Sequence, residues 1–252
     1  MLSKNQMKNI RALSLKKERD AQSLFVAEGE KLVKELLPFF TCRLLLVTRD
    51  WIDAKSILKN ADYELITLEE MKKISSLKTP TSVLAIFEKP IMKLDISNLK
   101  QELILILDEV QNPGNLGTIV RIADWFGIRH IICSLNTADV YSAKTIQATM
   151  GALARVHVHY VDLISFLQSY SRLNLPIYGT FLDGENLYGT ALSRVGAIVL
   201  GNEGNGISDE VAKYVSFRIV IPSYPLHVQT SESLNVAVAT AVVCAEFRRL
   251  AE

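Results

Sequence analysis

No stretch of this 252-residue chain is long and apolar enough to cross a membrane. A span needs about 18 consecutive apolar residues, and the best run, Leu103–Leu107, is only of strand length. Cysteine is scarce: Cys42, Cys133 and Cys244 are widely spaced, odd in number and without a C-x-x-C pair. That excludes a disulfide-stapled fold and suits reduced structural thiols in a cytoplasm. Neither charge dominates, since 28 Lys plus Arg against 27 Asp plus Glu leave a net +1, so overall charge carries no nucleic-acid signal. The opening MLSKNQMKNIRALSLKKERD has no apolar core of a secretion signal, and a cytoplasmic location is expected. Internal repeats and low-complexity segments are absent as well.

What is present is the balance of an ordinary soluble globular protein, 49% hydrophobic and 22% charged. At about 150 residues per domain this is one large domain or two smaller ones. Charge is local rather than global: residues 1–20 hold Lys4, Lys8, Arg11, Lys16, Lys17 and Arg19 against Glu18 and Asp20. Residues 1–95 read as a small mixed α/β unit. A basic helix is expected over 3–20, a second helix behind Gly29, strands at 42–47 and 63–68, a helix in EEMKKISSL and a closing strand in SVLAIF. The polar stretch 89–101 is the expected linker. From 96 to 252 the rhythm becomes strand, loop, helix, with strands at 102–107, 130–133, 155–158, 176–181, 197–200 and 217–221. Helices are expected at 116–126, 143–149, 162–170, 208–214 and 233–250. Short all-apolar strands alternating with helices predict an α/β domain with a mainly parallel sheet and helices on both faces.

Three segments carry the chemistry. In LDEVQNPGNLGTIVRIADWFGI (107–128) a turn follows a buried strand, Asn115 and Gly117 suit tight or left-handed backbone before the helix, and Gly127 suits its end. Arg121 falls off the apolar stripe of Ile119, Ile122 and Phe126; near a helix N-terminus a cation would need an anionic partner such as phosphate. In AIVLGNEGNGIS (197–208), Gly201, Gly204 and Gly206 surround Glu203 after a strand and allow close backbone approach to a ligand. The loop is neither a Walker motif nor a dinucleotide fingerprint. In RIVIPSYPLHVQTSESLNVAVATAVVCAEFRRL (218–250) a strand reaches Pro222, and an alanine-rich helix opens near Ser233, a candidate N-terminal cap. His157 and His159 share one face of a strand, but with no third ligand at suitable spacing they read as outward polar residues. Trp51 and Trp125 read as packing residues.

Taken in this order, N-P-G-N-L-G-T-I-V-R, L-G-N-E-G-N-G and I-P followed by S-L-N-V-A-V-A resemble the three motifs of the SpoU/TrmH family of RNA ribose 2′-O-methyltransferases. FVAEGEKLVKELL and TPTSVLAIF are similar to that family's ribosomal-protein-like substrate-binding domain. The resemblance implies a SPOUT fold, in which the parallel sheet carries a deep trefoil knot, and S-adenosylmethionine held by Leu200, Gly201, Asn202, Gly204, Ile221, Pro222 and Leu234. It assigns catalysis to Arg121, Asn115, Glu203, Ser233 and Asn235, with Asn115 and Glu203 holding the loop and Arg121. It implies RNA contacts through the basic residues of 1–20 and Arg121, a homodimer that places Arg121 near the partner's pocket, and no metal. Ribosomal RNA is favoured over transfer RNA. Ten residues (223–232) separate I-P from S-L-N, more than the family's usual spacing, and they contain no glycine. A guanidinium has no lone pair free to accept a proton at neutral pH, so Arg121 is a poor base and a good bidentate clamp on an RNA phosphate. Two alternatives stay open: a non-catalytic RNA-binding protein of the same fold, and a base methyltransferase of the knotted superfamily.

Overall fold

The computed structural model describes residues 1–54, 62–225 and 233–249. They form two compact units, one of Met1–Ile91 with Asp139–Ala154, the other of Met92–Ala138 with Arg155 onward. Residues 139–154 thus pack with the N-terminal part of the chain, whereas the sequence-based division at 95/96 groups them with the C-terminal part.

In the first unit, helices α1 (Lys4–Ala12) and α2 (Lys16–Gln22) precede strand β1 (Leu24–Glu28), helix α3 (Glu30–Leu36), strand β2 (Cys42–Thr48) and helix α4 (Arg49–Ala54). Strand β3 (Glu64–Ile66), helix α5 (Leu68–Ile74) and strand β4 (Val83–Glu88) complete it. The sheet order is β1-β4-β2-β3, with β4 antiparallel to both neighbours and β3 parallel to β2. Capping boxes start α1 (Ser3 with Gln6) and α5 (Thr67 with Glu70). Leu2, Ile10 and Leu13 then pack with Met71 and Ile74 against Leu46, Leu84 and Ile86 of the sheet. The single basic helix expected over 3–20 is two helices, and β1 is a strand that the sequence reading left unassigned. Its five residues are too few to show a period, and only pairing with β4 makes them a strand.

The second unit begins in the expected linker, of which Leu99 is fully buried, with Leu94 and Ile96 packed beside it. Strand β5 (Leu103–Leu107) leads through helix α6 (Pro113–Trp125) to strand β6 (His130–Ser134). Helix α7 (Ala143–Thr149) belongs to the first unit, and the chain returns as strand β7 (His157–Val161), helix α8 (Leu163–Tyr170) and strand β8 (Ile177–Asn186). Strand β9 (Gly196–Leu200), the short helix α9 (Asp209–Ala212), strand β10 (Phe217–Val220) and helix α10 (Val236–Arg249) follow. The sheet order is β10-β8-β9-β5-β6-β7, every pair parallel. All five residues of β5 and of β9 are buried, as a strand covered on both faces requires. Ile104, Ile106, Ile132 and Val199 pack with Leu163, Phe166, Leu167 and Tyr170 of α8 on one face. On the other, Phe247 of α10 meets the ring of Tyr178 edge-on at 5.0 Å. From β5 the chain moves outward to β6 and β7, and from β9 it moves the opposite way, to β10. The carboxyl ends of β5 and β9 therefore bound a topological switch point, where open parallel sheets form their ligand crevice.

Candidate active site

The loops that leave β5 and β9 are joined by side chains. Asn112 caps α6, its Oδ1 accepting from Gly114 and Asn115, with Pro113 as the first helical residue. This corrects the expected start at 116: Asn115 and Gly117 are helical, and Gly117 is buried in the helix rather than left-handed before it. Gly127, at φ 63, ends the helix as expected. Leu116, Ile119, Val120 and Ala123 form the buried stripe, each large side chain contributing about 1.5–3 kcal/mol.

Glu203 of the glycine-rich loop reaches across to this cap. Its carboxylate accepts from the Gln111 N–H (3.2 Å), the Asn112 N–H (3.2 Å) and Asn115 Nδ2 (2.9 Å). Burial pushes its pKa up, but the Asn115 amide and the surrounding backbone N–H groups outweigh burial and hold it below the usual range. Asn115 Oδ1 accepts in turn from Asn235 Nδ2 (3.1 Å). Asn235 Oδ1 accepts from Ala237 N–H (3.0 Å) and Val238 N–H (3.3 Å), so Asn235, not Ser233, caps α10. One chain of hydrogen bonds, Glu203–Asn115–Asn235, therefore links all three sequence motifs.

Beside this chain lies a cavity of about 980 Å³. The seven residues assigned to the cofactor, Leu200, Gly201, Asn202, Gly204, Ile221, Pro222 and Leu234, all line it, with Glu203, Ser233 and Asn235. The sequence reading missed the wall from the end of β8, including Phe181 and Leu187, and Ala239 of α10. No local motif marks them; they reach the cavity because β8 neighbours β9. Of the residues 223–232, the segment 226–232 lies outside the described residues. The glycines serve the loop itself: a Cβ on Gly201 would come within 2.1 Å of the Gly206 carbonyl carbon, and Gly206 has φ 71. Gly201 is thus required for the turn to close on itself, not only for a ligand to approach.

Arg121 stands apart from this cluster. It is the ninth residue of α6, so the expected electrostatic conflict with the helix N-terminus does not arise, because that field fades within the first turn. Its side chain is exposed and has no hydrogen bond or ion pair with a described residue, so Asn115 and Glu203 hold the loop but not Arg121. Trp125, one helical turn further on, is 85% exposed, contrary to its expected packing role. The basic residues of the first unit also divide. Lys4, Lys8 and Arg11 follow one exposed stripe of α1, and Lys16 and Lys17 are exposed. Arg19 is withdrawn from that set: it is 3% exposed, donates to the Leu13 and Ser14 carbonyls and pairs with Asp139 at 2.6 Å.

Of the two histidines expected to face outward, His157 is exposed and His159 is not. His159 is buried, and its Nε2 lies 3.3 Å from Nδ1 of His130, which the parallel pairing of β6 with β7 brings alongside. Burial first, then neighbouring histidines, lower its pKa to about 4. Among the described residues no group of three His, Cys, Asp or Glu side chains has the geometry to hold a metal ion. Cys133 and Cys244 are buried and unpaired, and burial raises both thiol pKa values.

Residues 102–245 match the SpoU rRNA Methylase family, and residues 4–85 match the MRM3-like substrate binding domain. The chain is 29% identical to the Bacillus subtilis 23S rRNA (guanosine(2553)-2′-O)-methyltransferase RlmP, over 98% of this chain and 97% of that protein. It resembles a Porphyromonas gingivalis structure described as an RNA methyltransferase of the TrmH family, with 44% identity, TM-score 0.88 and 99% of each chain covered. It also resembles the AdoMet-bound rRNA methyltransferase from Sinorhizobium meliloti, with 29% identity, TM-score 0.84, and 99% and 96% of the two chains covered.

Proposed function

Since this chain belongs to the SpoU rRNA methylase family, we propose that it transfers the methyl group of S-adenosylmethionine to a ribose 2′-hydroxyl of ribosomal RNA. The observation that carries this reading is the hydrogen-bond chain Glu203–Asn115–Asn235 on the rim of the cavity. It aligns polar groups from all three motifs at a sheet switch point, where open parallel sheets bind their ligands. The cavity suits the cofactor in size and in character. Small-molecule sites span about 300–1,000 Å³, and here apolar side chains such as Leu187, Ile219 and Val243 adjoin the exposed glycine-rich backbone. Bound there, the cofactor supplies the electrophilic methyl group.

The protein's own work is positioning. Asn115 and Asn235 fix one another and present amide dipoles at the rim, while ionised Glu203 anchors the loop to the cap of α6. Holding a ribose oxygen in line contributes up to about 7–11 kcal/mol of barrier lowering. Arg121 clamps the neighbouring RNA phosphate through two parallel N–H donors. Its exposure, and that of Trp125 on the same stripe, support a homodimer in which Arg121 works beside the partner's cavity. The trefoil knot, a cytoplasmic location, the absence of a metal requirement and an RNA-binding role for residues 1–95 belong to the same proposal. Exposed Lys4, Lys8, Arg11, Lys16 and Lys17 supply the phosphate contacts of that domain.

The test is labelled methyl transfer to ribosomal RNA from a strain lacking the gene, followed by nucleoside analysis. Label on the ribose is expected, with Arg121→Ala and Arg121→Lys each at least about 100-fold slower because neither retains the two-pronged donor. Label on a base would support base methylation, and no transfer would support RNA binding alone.

A further inference from the structure

Glu109 is the second residue beyond β5, and its backbone is left-handed, at φ 57. The conformation is disfavoured for any residue with a Cβ, and glutamate lacks the short polar side chain that eases it for Asn or Asp. Three other described non-glycine residues have positive φ: Ser23, Met150 and Asn174. Each terminates a helical turn, where a left-handed residue is the common stop. Glu109 follows a strand, so that explanation does not reach it.

Its contacts do. The Glu109 N–H donates to Ser134 Oγ (3.0 Å) at the end of β6, and its carbonyl accepts from Asn202 Nδ2 (2.8 Å) in the glycine-rich loop. Its Oε1 accepts from Asn136 Nδ2 (2.7 Å) in the loop after β6. One residue therefore ties together the exits of β5, β6 and β9. A glycine would make both backbone bonds without strain, so what the glutamate adds is the bond from its carboxylate to Asn136. Asn202 lines the cavity, but Asn136 and the adjoining Leu135, which is 62% exposed, do not. The carboxylate thus braces a segment that adjoins the glycine-rich loop without lining the cavity.

We propose that Glu109 is a positioning residue for the RNA: its carboxylate, through Asn136, fixes the rim segment 135–136 past which the ribose approaches. The inference rests on the methyl-transfer reading above and adds a substrate-side group to it. Local strain kept at a site in exchange for geometry is a known pattern, and the left-handed backbone separates that role from a structural one. Glu109→Gly relieves the strain and keeps both backbone bonds, so melting temperature is expected to be unchanged or higher. Cofactor affinity by calorimetry stays within about twofold, whereas kcat/KM on ribosomal RNA from the deletion strain falls by about 10-fold, equivalent to about 1.4 kcal/mol. Glu109→Gln keeps an oxygen acceptor and retains most activity. Asn136→Ala reproduces the loss, and the double variant loses no more than either single one.

Wild-type kcat/KM in Glu109→Gly would overturn the inference. So would a fall in its melting temperature that parallels the activity loss, weakened cofactor binding, or additive losses in the double variant. An unmutated protein that transfers no methyl to RNA overturns the methyl-transfer reading itself, a result distinct from all of these.

Discussion

At the scale of single residues, burial decides which titratable groups are available for chemistry and which serve the fold. Arg19 carries the same charge as Lys8 but is 3% exposed and paired with Asp139. Removing either partner of a buried ion pair leaves the other charge uncompensated, a loss of about 3 kcal/mol. Asp139→Ala is therefore expected to lower the melting temperature markedly while leaving RNA affinity per folded molecule unchanged; the reverse pattern would return Arg19 to the RNA-binding set. His159 makes stability depend on pH. Its pKa falls from an ordinary 6.5 to about 4 on folding, because burial and the neighbouring His130 and His157 disfavour the cation. The unfolded chain then binds a proton that the folded one refuses, so this contribution is intact above pH 6.5 and lost as pH falls towards 4. At 1.36 kcal/mol per unit it amounts to on the order of 3 kcal/mol. Glu102 favours a charge on His130, while Arg129 opposes it. Denaturant melts at pH 7.5 and pH 4.5 are expected to show the loss in wild type and a smaller one in His159→Gln.

At the scale of elements, helix ends assemble the site. The cap of α6 is Asn112, the cap of α10 is Asn235, and Asn115 within the first turn of α6 meets Asn235. The other end is fixed as well: Arg248 of α10 donates to the Phe126 carbonyl at 2.7 Å, satisfying an orphan acceptor where α6 stops. Helix α1 has a different job. Its inner face, Ile10 with Leu13 just beyond, is core, and its outer face carries Lys4, Lys8 and Arg11 at i, i+4 and i+7. A stripe of three cations about 6 Å apart, without ion-pair partners among the described residues, is suited to successive phosphates. Replacing all three with alanine is expected to reduce the slope of log K against log salt by about 2–3, with the melting temperature held. An unchanged slope would remove α1 from the RNA surface.

At the scale of the whole molecule, the described part of one chain leaves Arg121 without a partner and Trp125 85% exposed on the same stripe of α6. A large aromatic in water beside an arginine has the composition of an interface core. On the proposed homodimer, the wild-type protein sediments as a dimer at micromolar concentration and Trp125→Glu as a monomer. Turnover should fall with dimer content, while cofactor affinity, if the proposed cavity within one chain holds it, should change little. A Trp125→Glu protein that remains dimeric and active would place the interface elsewhere.

The amino-acid sequence lays out the strands of the parallel sheet and the three motifs, because buried strands are contiguous apolar runs and the turns between them are written in glycine, proline and asparagine. Asn115, Glu203 and Asn235 were singled out through the motifs they belong to, and the structure joins them in one chain of hydrogen bonds. The sequence reading misplaced the start of α6 by three residues, as Asn-Pro reads both as a turn and as a helix cap with proline in the first turn. Relations between distant positions arise only on folding. The pairing of β6 with β7 set His130 against His159, and the packing of 139–154 with the first unit buried Arg19. The closing of the glycine-rich turn on itself made Gly201 obligatory, and the meeting of three strand ends at position 109 required left-handed backbone there. None of these has a local signature, because burial and hydrogen bonding between residues as far as 122 positions apart along the chain exist only once the sheet has put them side by side.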